Sequence, residues 1–408
     1  MGIVRALLKH PEDLPGLLKL KVASVAASRA IPSDPNLAFC FQMLRRVSHS
    51  LSLVIQQLSP DLRNAVCVFY LVLRALDIVE NNTSIPVDVR VTILKEFHEK
   101  IYNSDVDFSL GKGGSNDYSL LMDKFQLVTF AFAGLSKGYQ EVIAQISERI
   151  GIGMAKFITT EVETVSDYNE YCHYAAGLAG LGLSRLFYAS GLEDFPPDIL
   201  SNSMGLFIQK TNVTRDYLED INKSSAPRMF WPREIWGKYV ERLEDFKYDE
   251  HAEVAVECLN EMVTNALSHT VDCLQYMAAL REITNLRFCA MPQIMAMGTL
   301  AMCYNNIQVF RGVVKIRSGL MAQILEVKTM QDVYGAFFDF SRTLAAKIDK
   351  KDPSASLTRK YIEDLQTVCK AELSSRGIFA IESRGGHEAC LGLALLVILV
   401  AMLLIVWR

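Results

Sequence analysis

The sequence predicts an all-α protein, with one large helical domain followed by a C-terminal transmembrane helix. Through most of the chain, apolar residues recur at spacings of three and four residues, as they do on one face of an α-helix. No segment alternates apolar and polar residues for long enough to predict a β-sheet. Near the C-terminus, an uncharged apolar run is long enough to cross a bilayer.

Short segments that contain proline, glycine or serine separate the predicted helices, because these residues favour turns over helix interiors. Together the helices predict a single domain within residues 1–373, whose helical part starts near residue 30. The helical spacing is found in the ranges 37–58, 61–81, 118–150, 168–189, 198–221, 252–280, 288–311, 329–347 and 355–373.

The C-terminal run 389–407, ACLGLALLVILVAMLLIVW, has no charged side chain over 19 residues. As a helix it would span about 28 Å, close to the hydrocarbon thickness of about 30 Å. A buried core helix is the alternative, but a helix that is apolar on every face at a chain end is hard to cover with protein. We therefore expect a transmembrane anchor, joined to the domain by a flexible tether at 374–388.

Composition bounds the location and the partners of the chain. The N-terminus lacks the pattern of a signal peptide, so we expect the domain to face the cytosol from the endoplasmic reticulum membrane. The net charge is −4 without a basic cluster, which argues against nucleic-acid binding. Nine cysteines lie mostly in apolar runs without metal-site spacing, which predicts buried free thiols. We expect the catalytic domain to be monomeric.

A polar stripe crosses the otherwise apolar helix predicted at 61–81. Buried charges are costly unless they are paired or hold an ion. Two carboxylates one turn apart can share Mg²⁺, which keeps waters or substrate phosphates as its remaining ligands. Arginine and tyrosine on the same face suit the same phosphates. The stripe consists of Tyr70, Arg74, Asp77 and Asn81, with Glu80 beside it.

A second stripe follows in the predicted helix 198–221. Asp216 and Asp220 are four residues apart, which places both carboxylates on one helix face. The residues that precede them on the stripe are Gln209 and Asn212, and the flanking cations are Lys210 and Arg215.

Either acidic motif alone is equally typical of a solvated helix face. Two such stripes, each next to an arginine, instead favour a paired Mg²⁺ site that binds a diphosphate. Two acidic helices facing an apolar cavity would suit a reaction in which metal ions draw a diphosphate away. The dry cavity would then shield the carbocation from water.

Several long blocks resemble plant squalene synthases, in order and over nearly the whole chain. They are CVFYLVLRALDIVENNTSIP, YCHYAAGLAGLGLSRLF, NSMGLFIQKTNVTRDYLEDIN, RMFWPREIWGKY, CLNEMVTNALSH and FCAMPQIMAMGTLAMCYNNIQVFRGVVKIR. The resemblance implies a single all-α isoprenoid-synthase domain. It also implies that two farnesyl diphosphates are joined head to head through presqualene diphosphate, and that NADPH then reduces this intermediate to squalene, for sterol and triterpene biosynthesis.

The resemblance also implies roles for individual residues. Tyr171 corresponds to the tyrosine that removes a proton and stabilises cations in the first half-reaction. Phe288 corresponds to an aromatic residue of the cavity used in the second. Without the resemblance, both are ordinary core residues. The residues matched to Mg²⁺ binding are Asp77, Glu80, Asp216 and Asp220. Those matched to the first diphosphate are Ser48, Ser50, Tyr70 and Arg74, and those facing the cavity from the second helix are Gln209, Asn212 and Arg215.

The NADPH site is not visible as a sequence pattern. The segment GLAGLG at 177–182 lies within a helical run and no strand precedes it, so it is not a dinucleotide fingerprint. Its small residues instead predict a close approach of helices. The resemblance assigns the NADPH phosphates to Arg228, Lys315 and Arg317, which would otherwise be typical surface cations.

The first diphosphate region departs from the family pattern. Asn81 and Asn82 stand where further carboxylates are usual, which weakens the attraction for Mg²⁺. His49 replaces an arginine, and a neutral imidazole does not hold phosphate in a bidentate way. Leu51 replaces an aromatic ring of the pocket. From these changes we expect weaker Mg²⁺ dependence or a higher KM.

Three hypotheses follow from the sequence. The first is an active, membrane-anchored squalene synthase. The second is a diverged enzyme that stops at presqualene diphosphate or makes another product; phytoene synthases also start head to head, but they use no NADPH and would not carry this anchor. The third is a weakly active or inactive paralogue that serves as an anchored, isoprenoid-binding scaffold. The intact carboxylates favour the enzymes, whereas the changes at 49, 51 and 81 favour the scaffold.

Overall fold

The computed structural model describes residues 21–22, 25, 31–103, 117–222 and 229–374. These residues form helices joined by short loops, and no β-strand occurs among them. The predicted all-α class is therefore confirmed. The predicted transmembrane span 389–407 and nearly all of its tether lie outside the described residues.

The first half of the domain contains the helix that carries the first acidic stripe. Its α-helices are α1 (Pro35–Val47), α2 (His49–Ile55), α3 (Pro60–Asn81), α4 (Val87–Lys100), α5 (Asp117–Asp123), α6 (Phe125–Ala133), α7 (Lys137–Phe157), α8 (Val165–Cys172) and α9 (Leu178–Ala189), with a π-helix at His173–Gly177 between the last two.

The second half contains the helix that carries the second stripe. Its α-helices are α10 (Asp198–Arg215), α11 (Tyr217–Ile221), α12 (Arg233–Trp236), α13 (Ala252–Leu267), α14 (Thr270–Ala279), α15 (Ile283–Cys303), α16 (Ser318–Ile324), α17 (Met330–Ala345) and α18 (Ala355–Ser374). Short 3₁₀ helices lie at Leu243–Lys247, Asp249–His251 and Ile307–Phe310.

The helical spacing locates most of these elements, but it merges several of them. The predicted segment 118–150 is three helices, because the chain breaks at Lys124 and again before Lys137. The segment 198–221 breaks at Asp216, whose backbone has φ −89° and ψ 14°. Helix α4 has no counterpart among the predicted ranges. Its first turns read VDVRVTI, and this spacing of valines by two residues conceals the helical period.

Helix α10 lies at the centre of the domain and packs against the π-helix and helices α9, α13, α14 and α15. Glycines allow this contact. A Cβ atom at Gly205 would collide with the backbone oxygen of Ala176, and one at Gly180 would collide with that of Ser201. At Gly177 it would collide with the Asn202 side chain. The predicted role of the GLAGLG segment, a close approach of helices, is therefore confirmed.

The π-helix interrupts the junction of α8 and α9 directly after Tyr171 and Cys172. Such wide turns are rare and occur frequently at functional sites. His173 fixes the turn against α10, because its Nδ1 atom lies 2.7 Å from Oδ1 of Asn202. The turn therefore determines how Tyr171 on α8 is oriented relative to α10.

Helix α15 is the most apolar long helix among the described residues. It is the one described helix with the length and composition of a membrane span, and 78% of its most apolar stretch is buried inside the domain. It therefore has the burial of a core helix.

Buried thiols line the core, as the sequence predicts. The eight described cysteines are free and buried, and Cys390 lies outside the described residues. Burial raises the pKa of Cys172 and of Cys369 to about 12, so these thiols stay protonated at neutral pH.

We predict that Gly205→Ala lowers the free energy of unfolding by about 2 kcal/mol, because the new methyl group forces α10 away from the π-helix. Gly335→Ala is the matched control. Gly335 also lies inside a helix, α17, but no atom lies within 4 Å of its added Cβ. The control should be neutral or stabilising by about 0.5–1 kcal/mol. Equal denaturation midpoints for the two variants would contradict the proposed contact.

Candidate active site

The first acidic stripe is held together by Arg74. Its guanidinium donates to Asp77 Oδ2 at 2.7 Å and to the Tyr70 hydroxyl at 2.9 Å. Burial lowers the pKa of Arg74, but Tyr70 and Asp77 raise it by more, so the group stays charged. The structure thus brings together three residues predicted to contact the first diphosphate and its metal.

The end of α3 is fastened to α4 by a buried arginine. Arg90 donates to the backbone oxygen of Glu80 at 2.7 Å, and both side chains are buried. Helix α4, which the sequence did not predict, therefore fixes the turn that carries Glu80. Nothing in the sequence singled out Arg90, because its partner is a backbone atom.

The two asparagines after Glu80 have different partners. The Asn81 amide donates to Asp77 Oδ1 and to the Asp77 backbone oxygen, each at 2.9 Å. Asn82 accepts hydrogen bonds from the backbone and the hydroxyl of Ser84, so it shapes the turn after α3. Asn81 therefore acts on the predicted metal ligand, whereas Asn82 stabilises the loop.

The second stripe repeats the arginine–aspartate pairing of the first. Arg215 donates from Nε and from Nη2 to the two Asp216 carboxylate oxygens, each at 2.6 Å. These hydrogen bonds raise the pKa of Arg215. The two aspartates do not share one continuous helix, because Asp216 is the junction between α10 and α11. The i, i+4 relation survives the break, since the Asp220 amide donates to the Asp216 backbone oxygen at 2.9 Å.

Each acidic stripe offers two carboxylates for a cation. Within residues 31–103, 117–222 and 229–374, no three histidine, cysteine or acidic side chains cluster closely enough to hold a metal ion by themselves. Asp77 and Asp216 are partly exposed, and each is engaged by an arginine. Oxygen donors in this number suit Mg²⁺, which retains waters or phosphate oxygens as its other ligands.

Tyr171 lies between two aromatic rings. Its ring stacks on Phe230 with centroids 3.8 Å apart and planes 6° apart, and Phe157 meets it edge-on at 5.5 Å. Its hydroxyl accepts a hydrogen bond of 3.3 Å from Gln209 on α10. The structure therefore joins two of the residues matched by resemblance and adds Phe157 and Phe230, which sequence reasoning missed. The block RMFWPREIW, which contains Phe230, was the only available signal.

The other predicted residues are located as follows. Ser48 is the break between α1 and α2, and Ser50 lies in the first turn of α2. Phe288 is buried in α15, edge-on to Phe187 at 6.1 Å. Asn212 is half-buried on α10 and accepts the Asp216 amide through its backbone oxygen. Lys315 and Arg317 are exposed before α16, and Arg228 lies outside the described residues.

A largely buried hydrogen-bond chain begins at Lys210, the residue after Gln209 on α10. The Lys210 ammonium is 2.9 Å from His269 Nε2, His269 Nδ1 is 3.4 Å from Ser203 Oγ, and Ser203 donates to Asp272 at 2.7 Å. An ammonium only donates and a carboxylate only accepts, so the chain runs in one direction, from lysine to aspartate. Lys210 also lies 5.5 Å from the ring centroid of Tyr168, one turn before Tyr171. Adjacent residues of α10 thus fix α8 in two places.

Burial governs the titration of this chain. It lowers the pKa of Lys210 to about 8. Burial, followed by the charge of Lys210, lowers the pKa of His269 to about 3. At neutral pH the lysine therefore carries the charge and the histidine is a neutral acceptor.

Comparison with known proteins identifies the family. A family model described as squalene/phytoene synthase matches residues 44–319. Squalene synthase 1 of Panax ginseng is 58% identical over 406 residues, which cover 99% of this chain and 97% of that protein. Squalene synthase 1 of Arabidopsis thaliana is 59% identical over 373 residues, 91% of this chain and 90% of that protein.

The chain belongs to the squalene/phytoene synthase family. The solved structure of TcSQS with ligand BPH1237 superposes with a TM-score of 0.80 at 41% identity, covering 83% of this chain and 99% of that chain. The squalene synthase HpnC of Alicyclobacillus acidocaldarius shares the fold, with a TM-score of 0.51 at 16% identity. The resemblance to plant squalene synthases is thereby confirmed, and with it the isoprenoid-synthase fold.

We predict that acid destabilises the folded protein through His269. In the unfolded chain His269 binds a proton below its ordinary pKa of 6.5, whereas in the folded protein its pKa is about 3. Stability should therefore fall with decreasing pH in this window, by up to about 1.4 kcal/mol per pH unit. His269→Gln should remove this part of the slope, as measured by chemical unfolding between pH 4.5 and 7.5. His251→Gln, at a partly exposed site, should keep it. An unchanged slope in His269→Gln would show that the histidine is not held neutral.

Proposed function

We propose that this chain is a squalene synthase. It joins two farnesyl diphosphates head to head to presqualene diphosphate and reduces this intermediate with NADPH to squalene. The observation that carries the proposal is the full-length similarity to squalene synthases at 57–59% identity. The two arginine–aspartate pairs support the proposal independently, because each lies on one of the two acidic stripes of the domain.

In this proposal the acidic stripes hold the diphosphates through Mg²⁺. Bound Mg²⁺ would neutralise the developing charge of the leaving diphosphate. The ligands would be Asp77 and Glu80 on one side and Asp216 and Asp220 on the other. The side chains of Arg74 and Asp77 are 29% and 41% exposed, so their ion pair is worth no more than about 1 kcal/mol. Because this ion pair is weak, Asp77 could exchange Arg74 for Mg²⁺. Arg74 and Tyr70 would then be placed to bind phosphate oxygens.

Tyr171 would accept the proton that is removed in the first half-reaction. Tyr171 can take this proton only as the phenolate, and the hydrogen bond that the Gln209 amide donates to its oxygen stabilises that form before the transfer. The Phe230 ring lies against one face of Tyr171 and Phe157 against its edge, which excludes water from this position. Aromatic faces also stabilise a passing cation. Phe288 would line the cavity of the second half-reaction.

NADPH would be held by cations that follow the catalytic helices in sequence. The resemblance assigns its phosphates to Arg228, Lys315 and Arg317. Lys315 and Arg317 lie two residues apart in an exposed segment, which suits a phosphate approaching from solvent. Residues 374–388 and 389–407 would tether and anchor a monomeric domain to the cytosolic face of the endoplasmic reticulum membrane.

The direct experiment gives detergent-purified full-length protein farnesyl diphosphate and Mg²⁺, with and without NADPH, and identifies the lipid products. We expect squalene only with NADPH. Asp216→Asn should lower kcat by more than about tenfold, because a predicted metal ligand loses its charge. Asp339→Asn, at an exposed site on α17, is the matched control and should leave kcat unchanged.

Other outcomes of this assay are informative. Presqualene diphosphate as the final product in both reactions would confine the activity to the first half-reaction. The absence of any product from folded protein that binds farnesyl diphosphate would refute the proposed enzyme.

We predict that Asn81→Asp lowers the Mg²⁺ concentration needed for half-maximal activity several-fold. The new carboxylate replaces an amide that occupies an Asp77 oxygen, and it adds a negative charge to the site. Asn82→Asp adds the same charge one residue later, where the side chain only caps the turn, and it should change the Mg²⁺ requirement by less than about twofold. Equal Mg²⁺ titrations of the two variants would contradict the role assigned to Asn81.

A further inference from the structure

Four large apolar side chains form an exposed surface at one end of the domain. They are 39–68% exposed, although each adjoins a well-packed helix end. We call this surface the outer apolar patch, and it consists of Tyr188, Phe195, Ile199 and Ile283. Tyr188 and Phe195 meet edge-on with ring centroids 5.7 Å apart. Apolar side chains grouped in this way mark interaction surfaces more often than scattered ones do.

Glu193 fixes the patch as one surface. Its buried carboxylate accepts hydrogen bonds from the Arg281 amide at 2.8 Å, the Glu282 amide at 3.0 Å and the Asn285 side chain at 2.9 Å. The loop that carries Phe195 is thereby held against the start of α15, which carries Ile283. Two consecutive prolines, at 196 and 197, then stiffen the chain before Ile199 on α10.

The packing of three helices shows which end of the domain this is. Helices α15 and α17 are parallel, because Gly298 faces Phe340 and the Ala301 backbone oxygen accepts from Lys347. Helices α17 and α18 are antiparallel, because Ser341 bonds Gln366 and Phe338 lies against Lys370. The start of α15 and the end of α18 therefore lie at the same end of the domain.

The chain leaves the described structure at this end. Ser374, the last residue of α18, is followed by residues 375–388 and then by the apolar run 389–407. At 1.5 Å per residue, Ile283 lies about 22 Å along α15 from Gly298, and Ser374 lies about 12 Å along α18 from Gln366. Ile283, at the edge of the patch, thus lies about 10 Å beyond Ser374 along these helices. Fourteen connecting residues reach at most about 50 Å, so patch and apolar run can meet one bilayer.

We propose that the outer apolar patch is the surface on which the helical domain rests on the membrane that holds its C-terminal segment. This inference depends on the anchor in the proposed function. The contact is apolar rather than electrostatic, because the exposed cation beside the patch, Arg281, is paired with Asp194 at 2.9 Å. Aromatic side chains such as Tyr188 and Phe195 suit the boundary between headgroups and acyl chains. The patch should therefore bind a zwitterionic lipid surface, without a need for anionic lipids.

The test uses the full-length chain in phosphatidylcholine vesicles, with Trp407→Phe removing the tryptophan of the apolar run. Phe195→Trp introduces a probe in the patch. Tyr248→Trp is the matched control, because Tyr248 is exposed to a similar extent as Phe195. Tyr248 lies just before α13, and α13 runs parallel to α18. Tyr248 is therefore at the end of the domain opposite to Ser374 and the patch. With brominated lipid, Phe195→Trp should be quenched at least about twofold more than Tyr248→Trp and shifted to the blue. Ile199→Trp should behave like Phe195→Trp.

Vesicle flotation separates this inference from the anchor on which it depends. Chains that float with the vesicles, yet show equal quenching at positions 195 and 248, would overturn the membrane contact and leave the anchor intact. Chains that do not float would overturn both. A blue shift of Phe195→Trp that grows with protein concentration, without lipid quenching, would assign the patch to a second copy of the chain and overturn the lipid contact.

Discussion

The close contact between α10 and the π-helix is the constraint on which the site depends. Helix α10 carries Gln209, Asn212 and Arg215 and ends at Asp216, so its position sets half of the proposed diphosphate site. Glycine at 177, 180 and 205 removes the side chains that would otherwise separate the backbones. Next to this contact, Gln209 lies within hydrogen-bond distance of Tyr171. The proposed site therefore depends on helix packing. A displacement of α10 by the width of a methyl group would disturb both the packing and the positions of the site residues.

The electrostatics of the site follow from its two arginine–aspartate pairs. Each pair lies at the end of a largely buried helix, where an unpaired charge would be costly. Each arginine offsets the charge of the one aspartate that it contacts. In the proposed function, a diphosphate with Mg²⁺ would bring both signs of charge, so each arginine would bind a phosphate oxygen and each aspartate a metal ion in place of its present partner. The pairing thus places two arginines and two aspartates on largely buried helices without leaving any of these four charges unpaired.

The sequence predicted the parts of this structure that repeat and missed those that depend on distant partners. Helix α3 was predicted to within one residue, because its apolar face and its polar stripe both follow the helical period. Helix α4 was missed because its valines alternate. Asp77, Arg74 and Tyr70 were grouped correctly from their spacing alone. Phe230 and His269 were not found, because their partners, Tyr171 and Lys210, are more than 50 residues away and lie on other helices.

The π-helix makes the length of one segment as important as its composition. A residue added to or removed from a helix rotates everything beyond it by about 100°. The wide turn at His173–Gly177 sets the rotation between the residues before it and those after it. With this rotation Tyr171 faces Gln209 and Gly177 faces Asn202, both on α10. Substitutions here disturb single contacts, whereas an insertion or deletion would turn either the tyrosine or the glycines away from α10. Residues of this segment other than Gly177 should therefore tolerate substitution more readily than the segment tolerates an insertion or a deletion.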